Sequence, residues 1–252
     1  MISIKNKHAQ ELMATAGAYL AELFDLLRSL IIPGTSAHDI DAYIACYLSK
    51  KQLVSQTKGY GTYRHVSCIS INDVLVHGVP HKEVLVPEHG VIKVDVCAAW
   101  KGYCADMARC FSIGMLSSET QRLLTTAQQA LDAGIAQATP GRRLADISGA
   151  IEDIIRPQGF GIVVQFAGHG IGRRMHEDPE ILNVRTKDKG PLLKEGMAFA
   201  LEPMITAGSS ELIIAPDGWT ARTADGSMTA HVEDTVIITA HGPRIITRLQ
   251  EA

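Results

Sequence analysis

The sequence predicts an α/β fold, in the broad sense that includes α+β, built from two similar halves, and three observations support this class. The chain has 252 residues and is 46% hydrophobic, so it can bury roughly three quarters of its unfolded surface. Helix-like periodicity is followed by strand-like runs twice along the sequence. Neither a low-complexity segment nor a linker separates the two stretches. We therefore expect residues 1–252 to form one domain that begins with a short helical region at about 1–34.

The first half is predicted to contain two helices followed by strands. Apolar residues from Leu12 to Leu27 recur every three or four positions, and this helix should end before the Pro-Gly pair at 33–34. A second helix should begin near Ser36. After a loop of glycines and tyrosines at 59–63, alternating apolar residues between 66 and 113 predict β-strands, with a hairpin turn near Trp100.

The second half repeats this order. A helix is predicted from about residue 117 to 138, closed by Pro140 and Gly141, and another from 144 to 155, which ends before Pro157. The last ninety residues return to strand-like patterns, including an apolar strand over 162–166. The recurrence of helices and then strands predicts two α/β halves around a shared sheet.

Composition excludes several classes of protein. The net charge of −3 excludes a strongly basic nucleic-acid binder, and the apolar runs are shorter than the ~18 residues that a membrane helix needs. The five cysteines form no CxxC pair, so neither a disulfide framework nor a structural zinc site is indicated. We expect no nucleic-acid partner, no membrane partner and a reducing, cytoplasmic location.

Two aspartates lie in the strand-like runs of the predicted hairpin. Asp95 and Asp106 should be opposite or nearly opposite each other across the turn. At a separation of ~4 Å and an effective dielectric constant of about 20, two such charges repel by about 4 kcal/mol. A cation between the aspartates would convert this cost into a binding site. The alternative is a pair of solvated acids on an exposed face, and the pair alone does not decide between the two.

Further donors occur later in the sequence. Glu202 and Glu233 lie in apolar runs, although each alone could be a strand-edge residue, and His169 lies between glycines at 168 and 170. Ionised acids are rarely buried without a partner. Four carboxylates and one imidazole form an oxygen-rich set that suits two divalent ions, Mn, Fe, Co or Zn, rather than a thiolate-bound zinc.

The ordered donors resemble the ligand set of the pita-bread metallopeptidases, family M24. The surrounding words CISINDVLVHGVP, DVCAAWKGYCADMAR, GHGIGRRMHEDP, ALEPM and DGWTARTADGSMTAHVEDT are similar to those of the bacterial type I methionine aminopeptidases. The resemblance covers nearly the whole chain. It implies a pita-bread fold, in which two pseudo-symmetric halves share a curved, largely antiparallel sheet covered by helices.

The resemblance also implies an activity and its metal ligands. The activity is removal of the N-terminal methionine from nascent proteins and peptides, with a small second residue preferred, by a hydroxide that two divalent metal ions activate. Asp95 would bind one ion and Asp106 and Glu233 would bridge both ions. His169 and Glu202 would bind the second ion, and Glu202 would also act as the catalytic acid and base.

Other residues are implied to contact the peptide. His77 and His176 would contact the substrate and stabilise the tetrahedral intermediate. The residues implied to line the methionine pocket are Tyr60, Tyr63, Cys68, Met175 and Trp219. The implied partner is the N-terminal peptide of a nascent polypeptide, the implied state is a monomer, and a transient contact with the ribosome stays open.

Several positions depart from the family pattern. Met175 stands where the bacterial enzymes usually have phenylalanine, and Cys97 and Cys104 replace polar residues near the aspartates; His231 and Asp234 also differ from the commonest wording around Glu233. Because of these departures, the sequence leaves open the metal preference of the site and its sensitivity to oxidation. It also leaves open whether the protein is the housekeeping enzyme or a divergent paralogue. The alternatives are an Xaa-Pro aminopeptidase or dipeptidase of the same fold, which usually carries an extra N-terminal domain, and a non-catalytic paralogue that binds partners.

Overall fold

A computed structural model describes residues 2–249 and confirms the mixed α/β class. The elements of the first half are α1 (Lys7–Leu27), α2 (Ala37–Lys50), β1 (Val54–Ser55), β2 (Cys68–Ile71), β3 (Val74–Val76), β4 (Gly90–Trp100) and β5 (Tyr103–Ile113). Those of the second half begin with α3 (Ser118–Gln137), α4 (Leu144–Ile155), a 3₁₀ turn (Arg156–Gln158), β6 (Gly161–Ile162), β7 (Gly168–Gly170), β8 (Glu177–Ile181) and β9 (Ala198–Leu201). They end with β10 (Met204–Thr206), β11 (Leu212–Ile214), β12 (Ala221–Thr223), β13 (Thr229–His231), β14 (Glu233–Thr239) and β15 (Gly242–Ile245).

The helices begin where the sequence places capping side chains. Asn6 accepts a hydrogen bond from the backbone N–H of Ala9, and Ser36 and Ser117 cap α2 and α3 in the same way. Such caps satisfy backbone donors that have no partner inside the helix. The predicted start of α2 and the predicted bounds of α3 and α4 are confirmed, whereas α1 begins five residues before Leu12, the first residue of the apolar pattern, because its first turn is polar.

One large sheet runs through both halves of the chain. Its nine strands follow the order β1-β4-β5-β14-β9-β7-β8, with β2 paired to β4 and β15 paired to β14. The neighbouring strands in this order are antiparallel. Two three-stranded sheets, β13-β10-β6 and β11-β12-β3, complete the structure. The apolar faces of α1 and α2 share one core cluster with β4 and β5, and those of α3 and α4 share a second cluster with β9 and β14.

The two halves repeat one arrangement. Each begins with a long helix and a shorter helix. The residue just before the shorter helix forms an isolated antiparallel bridge, which joins Ser36 to Leu85 in the first half and Arg143 to Leu192 in the second. This repetition of helices, bridge and sheet is the relation that the recurrence in the sequence predicts.

The β4–β5 hairpin sets the positions of both aspartates. Its turn consists of Lys101 and Gly102, which both have positive φ, as a two-residue turn matched to the strand twist requires. The turn is therefore one residue later than one centred on Trp100 and Lys101. As a result Asp106 lies directly opposite Cys97, and Asp95 is its diagonal neighbour on the same face.

A buried ion-pair network anchors β14 through the side chain of Asp234. Asp234 is fully buried and accepts hydrogen bonds from Arg109, from Thr247 and from Arg248 at 2.8 Å. Arg109 also donates to the backbone carbonyl of Glu233. Thus Asp234, although it is adjacent to a predicted metal ligand, forms ion pairs with two arginines.

We expect Asp234→Ala to lower the free energy of unfolding by about 2–4 kcal/mol, because two arginines then lose their buried partner. Urea denaturation measures this loss. Asp225→Ala is the control, since Asp225 is an exposed loop acid that accepts hydrogen bonds from the backbone N–H groups of Ser209 and Ser227 rather than from arginines. Equal stability of the Asp234 variant and the wild type would contradict the proposed importance of the network.

Among residues 2–249, no helix has both the length and the hydropathy that crossing a membrane requires.

Candidate metal centre and pocket

One pocket of about 220 Å³ contains every residue that the sequence analysis singled out for the site. These residues are Tyr60, Tyr63, Cys68, His77, Asp95, Asp106, His169, Met175, His176, Glu202, Trp219 and Glu233. The acids and His169 come from the large sheet, and aromatic and sulfur-containing side chains form much of the rest of the wall. The structure therefore brings the residues together, and their individual roles stay predictions.

The five predicted donors come from neighbouring strands. Asp95 lies in β4, Asp106 in β5, Glu233 at the start of β14, Glu202 directly after β9 and His169 in β7. These strands are consecutive in the sheet order β4-β5-β14-β9-β7. Because side chains on one face of adjacent strands are close, donors that are far apart in sequence meet here.

His169 is oriented by its glycine neighbours. It lies in the short strand β7 rather than in a turn, and the strand predicted before it extends only over Gly161–Ile162. Gly170 is needed because a Cβ there would overlap the carbonyl of Asp178. The Nδ1 atom of His169 lies 3.0 Å from the Gly170 carbonyl, and donation to this carbonyl leaves Nε2 unprotonated. Nε2 lies 3.4 Å from Glu202 Oε1, so a lone pair faces the acids.

The acids are strongly perturbed by burial and by one another. Burial and then the neighbouring Asp106 raise the pKa of Asp95 well above its ordinary range. Burial, followed by the charge of Glu202, raises the pKa of Asp106 to about 7. Burial also raises the pKa of Glu202 to about 8, and burial and the nearby acids raise that of Glu233. Four carboxylates therefore cannot ionise together here without a compensating positive charge.

Four of the five predicted donors, all except Asp95, belong to groups whose ligand atoms are close enough to hold a metal ion. The groups Asp106–His169–Glu233 and Glu202–His231–Glu233 each place one ligand atom per residue within 4.8 Å of the others. Within the described part of the chain, Glu233 Oε1 and His231 Nε2 are buried without a hydrogen-bond partner. Buried polar atoms normally have partners. These residues therefore fit divalent metal ions.

The two predicted peptide-binding histidines line the pocket. His77 has a φ of +58°, an uncommon conformation for a residue other than glycine and one that concentrates at functional sites. Burial lowers the pKa of His77 to about 4. His176 Nδ1 lies 3.1 Å from the Tyr60 hydroxyl, and burial lowers the pKa of His176 as well. Both imidazoles are therefore neutral at pH 7.

Hydrogen bonds and ring packing hold the aromatic side chains of the pocket wall in place. The Tyr63 hydroxyl donates to the backbone carbonyls of Ser67, at 2.9 Å, and Gly78, at 3.2 Å. The Trp219 ring packs edge-on against Tyr63 with 5.2 Å between the ring centroids, and its Nε1 donates to Thr62. A pocket of this shape suits a long apolar side chain.

The thiols of the two cysteines near the aspartates are inaccessible to solvent. Cys97 and Cys104 are fully buried and free. Burial raises the pKa of Cys97 well above its ordinary value, and a buried, protonated thiol reacts slowly with oxidants. This favours the interpretation that the two cysteines are small fillers, and their effect on oxidation stays a prediction.

Six residues that line the pocket were not singled out from the sequence: Thr57, Val76, Phe166, Ala167, Met204 and His231. Phe166 and Met204 line it but lie in apolar runs that resemble ordinary core segments. His231 lines it too, and a signal for it existed: it precedes Glu233 by two positions, so strand alternation predicts both side chains on one face. His231 was recognised only as a departure from the family wording.

The fold and this donor set define a metallopeptidase. The sequence profile of Metallopeptidase family M24 matches residues 11–240. The chain belongs to this family.

Two similar proteins are methionine aminopeptidases. The chain is 38% identical over 247 residues to the methionine aminopeptidase of Clostridium acetobutylicum. The alignment covers 98% of this chain and 99% of that protein. It is similar to the crystal structure of methionine aminopeptidase from Thermotoga maritima, with a TM-score of 0.96, 36% identity and coverage of 99% and 100%. This similarity confirms the expected pita-bread fold.

A more distant similarity bears on the fold alone. The X-Pro aminopeptidase of Thermotoga maritima has a TM-score of 0.77 at 22% identity, and the match covers 99% of this chain but 63% of that one.

Proposed function

We propose that this protein is a metal-dependent methionine aminopeptidase that removes the N-terminal methionine of a polypeptide, preferring a small second residue. The observation that carries the proposal is the convergence of five donors from adjacent strands beside an apolar pocket. Full-length similarity to methionine aminopeptidases supports the same conclusion.

The proposed ligands are Asp95, Asp106, His169, Glu202 and Glu233. Two divalent ions of Mn, Fe, Co or Zn, when bound, would supply Lewis-acid activation of water and of the scissile carbonyl. The side chain of Glu202, with its backbone carbonyl held by the Asn183 amide at 3.1 Å, would accept the proton of the attacking water and pass it to the leaving amine.

The two histidines are proposed to handle the peptide. Neutral His77 and His176 can each donate one N–H, which suits a hydrogen bond to the scissile amide and to the oxygen that becomes negative. Tyr60, in contact with His176, would fix the direction of that imidazole. The aromatic rings of Tyr63 and Trp219, with the sulfur atoms of Cys68 and Met175, would form a polarisable wall for a thioether side chain.

Peptide hydrolysis after metal reconstitution tests the proposal. The protein is stripped with a chelator and reloaded separately with Mn²⁺, Fe²⁺, Co²⁺ or Zn²⁺. We expect release of methionine from Met-Ala-Ser at least about 100-fold faster than cleavage of an Ala-Pro peptide, with slower release from Met-Val-Ser. The chelator should abolish the activity.

The same assay separates the alternatives. Faster cleavage of the Ala-Pro peptide would assign an Xaa-Pro aminopeptidase or dipeptidase instead. No cleavage with any of the four metals, together with retained peptide binding, would assign a non-catalytic paralogue.

We also propose that residues 1–252 act as one catalytic domain and as a cytoplasmic monomer. The continuity of the nine-stranded sheet across both halves supports a single domain, and the net charge of −3 supports the absence of a nucleic-acid partner. Contact with the ribosome is proposed to be transient at most. Light scattering after size exclusion measures the oligomeric state.

A further inference from the structure

We propose that His231 is an additional ligand of the metal centre, on the side formed by Glu202 and Glu233. The inference rests on the proposed metal centre and adds a second imidazole to its five predicted donors. His231 lines the pocket and only 2% of its surface is exposed. Its Nε2 atom has no hydrogen-bond partner within residues 2–249.

The backbone fixes the direction of this side chain. His231 ends β13 and Glu233 begins β14, with Val232 between them in the apolar core. Although the two strands belong to different sheets, the ligand atoms of His231 and Glu233 lie within 4.8 Å of each other and both side chains line the pocket. His231 also lies directly opposite Met204 in β10, two residues after Glu202. This register brings the imidazole alongside the Glu202 carboxylate.

Glu202 lies between two imidazoles. His231 Nε2 is 3.4 Å from Glu202 Oε2, and His169 Nε2 is 3.4 Å from Glu202 Oε1. His231 therefore has the same relation to one oxygen of Glu202 as His169 has to the other. If His169 binds a metal ion, the equivalent placement of His231 points to the same role.

The unpaired atoms favour a cation over a hydrogen bond. Glu233 Oε1 is also buried without a partner, and it belongs with His231 and Glu202 to one group whose ligand atoms lie within 4.8 Å of each other. A buried polar atom without a partner is destabilising. His231 Nε2 and Glu233 Oε1 are not joined by a hydrogen bond, whereas one divalent ion between them would satisfy the lone pairs of both atoms.

A second imidazole should change the metal preference. Carboxylates suit Mn²⁺, whereas imidazole suits Zn²⁺, Fe²⁺ and the later first-row ions. We expect His231→Gln to weaken Co²⁺ binding by about 10–100-fold, and Mn²⁺ binding by less. Isothermal titration of the metal-free protein with each ion measures both changes without reference to activity.

Proton NMR of the Co²⁺-loaded protein tests whether His231 binds the metal ion or only lies close to it. Imidazoles bound to high-spin Co²⁺ give strongly shifted, solvent-exchangeable N–H signals, which vanish in D₂O. We expect two such signals in the wild type and one in His231→Gln. The matched control is His241→Gln, because His241 is an exposed histidine outside the pocket; it should retain both signals.

Metal content is measured first, so that two failures can be distinguished. Absence of bound Co²⁺ in the wild type would overturn the metal centre and the inference together. Full Co²⁺ content with a single shifted signal, or with the same signals in the wild type and His231→Gln, would overturn the inference alone. If His231→Gln does not fold, His169→Gln replaces it: the one signal that remains in that variant must then come from His231, and its absence would contradict the proposal.

Discussion

Replacing Glu202 by glutamine should lower kcat for methionine release by about 10³-fold, the range found when a catalytic acid or base is removed. Glutamine keeps the shape of the side chain and the backbone carbonyl that Asn183 contacts. It cannot accept the proton of the attacking water, and it removes one negative charge from the donor set. A timed peptide-hydrolysis assay with saturating metal and peptide measures kcat. Mass spectrometry of the native protein measures its metal content.

Glu152→Gln is the matched control for burial. Glu152 is 5% exposed and is bound by Arg156 and Arg185 on the outer side of α4, away from the pocket residues. Its substitution should lower stability and leave kcat unchanged. A Glu202→Gln variant with wild-type kcat would exclude Glu202 from proton transfer, and equal loss of activity in both variants would assign the effect to folding.

The local features of the fold could be predicted because short-range chemistry determines them. Capping serines at 36 and 117 and the Pro-Gly pair at 140–141 define helix ends, and these predictions are confirmed. The acids in apolar strands could also be singled out, since buried charge without a partner is rare. Their roles as ligands are not tested by the structure, but their convergence is visible in it.

Long-range order could not be predicted from the residues alone. The sheet order β4-β5-β14-β9-β7 depends on pairing between strands that lie far apart in sequence, and nothing local encodes it. The hairpin register depended on a single turn position, which moved the partner of Asp106 to Cys97. Asp234 and His231 show the same limit, because only packing reveals that Asp234 pairs with arginines while His231 faces the pocket.

The metal-free protein should become less stable as the pH rises from 6.5 to 8. Burial raises the pKa of Asp106 to about 7 and that of Glu202 to about 8, so the folded state holds protons that the unfolded chain has already released. Stability then falls with increasing pH by up to about 1.4 kcal/mol per pH unit for each such carboxyl, for as long as the folded state keeps its proton. Over this interval Glu202 alone contributes a loss of about 2 kcal/mol.

The interval must begin at pH 6.5 because the histidines act in the opposite direction. Burial lowers the pKa of His77, His169 and His231 to about 4, so between pH 4 and 6.5 the unfolded chain binds more protons at these sites and stability rises with pH. Below pH 6.5 the two effects offset each other. Above pH 6.5 the unfolded histidines lose their remaining protons, so their opposing effect fades by about pH 7.5 and the effect of the carboxyls dominates.

Bound divalent metal should reverse this dependence. Positive charge keeps the carboxylates ionised in the folded state, so their protons no longer favour low pH, and metal binding itself strengthens as ligands lose protons. Urea denaturation at pH 6.5 and pH 8, with chelator and with saturating Co²⁺, measures all four stabilities. In Glu202→Gln the share of the pH dependence due to Glu202 should disappear. A metal-free protein that is equally stable at both pH values would show that the pKa values of these acids are not raised in the folded state.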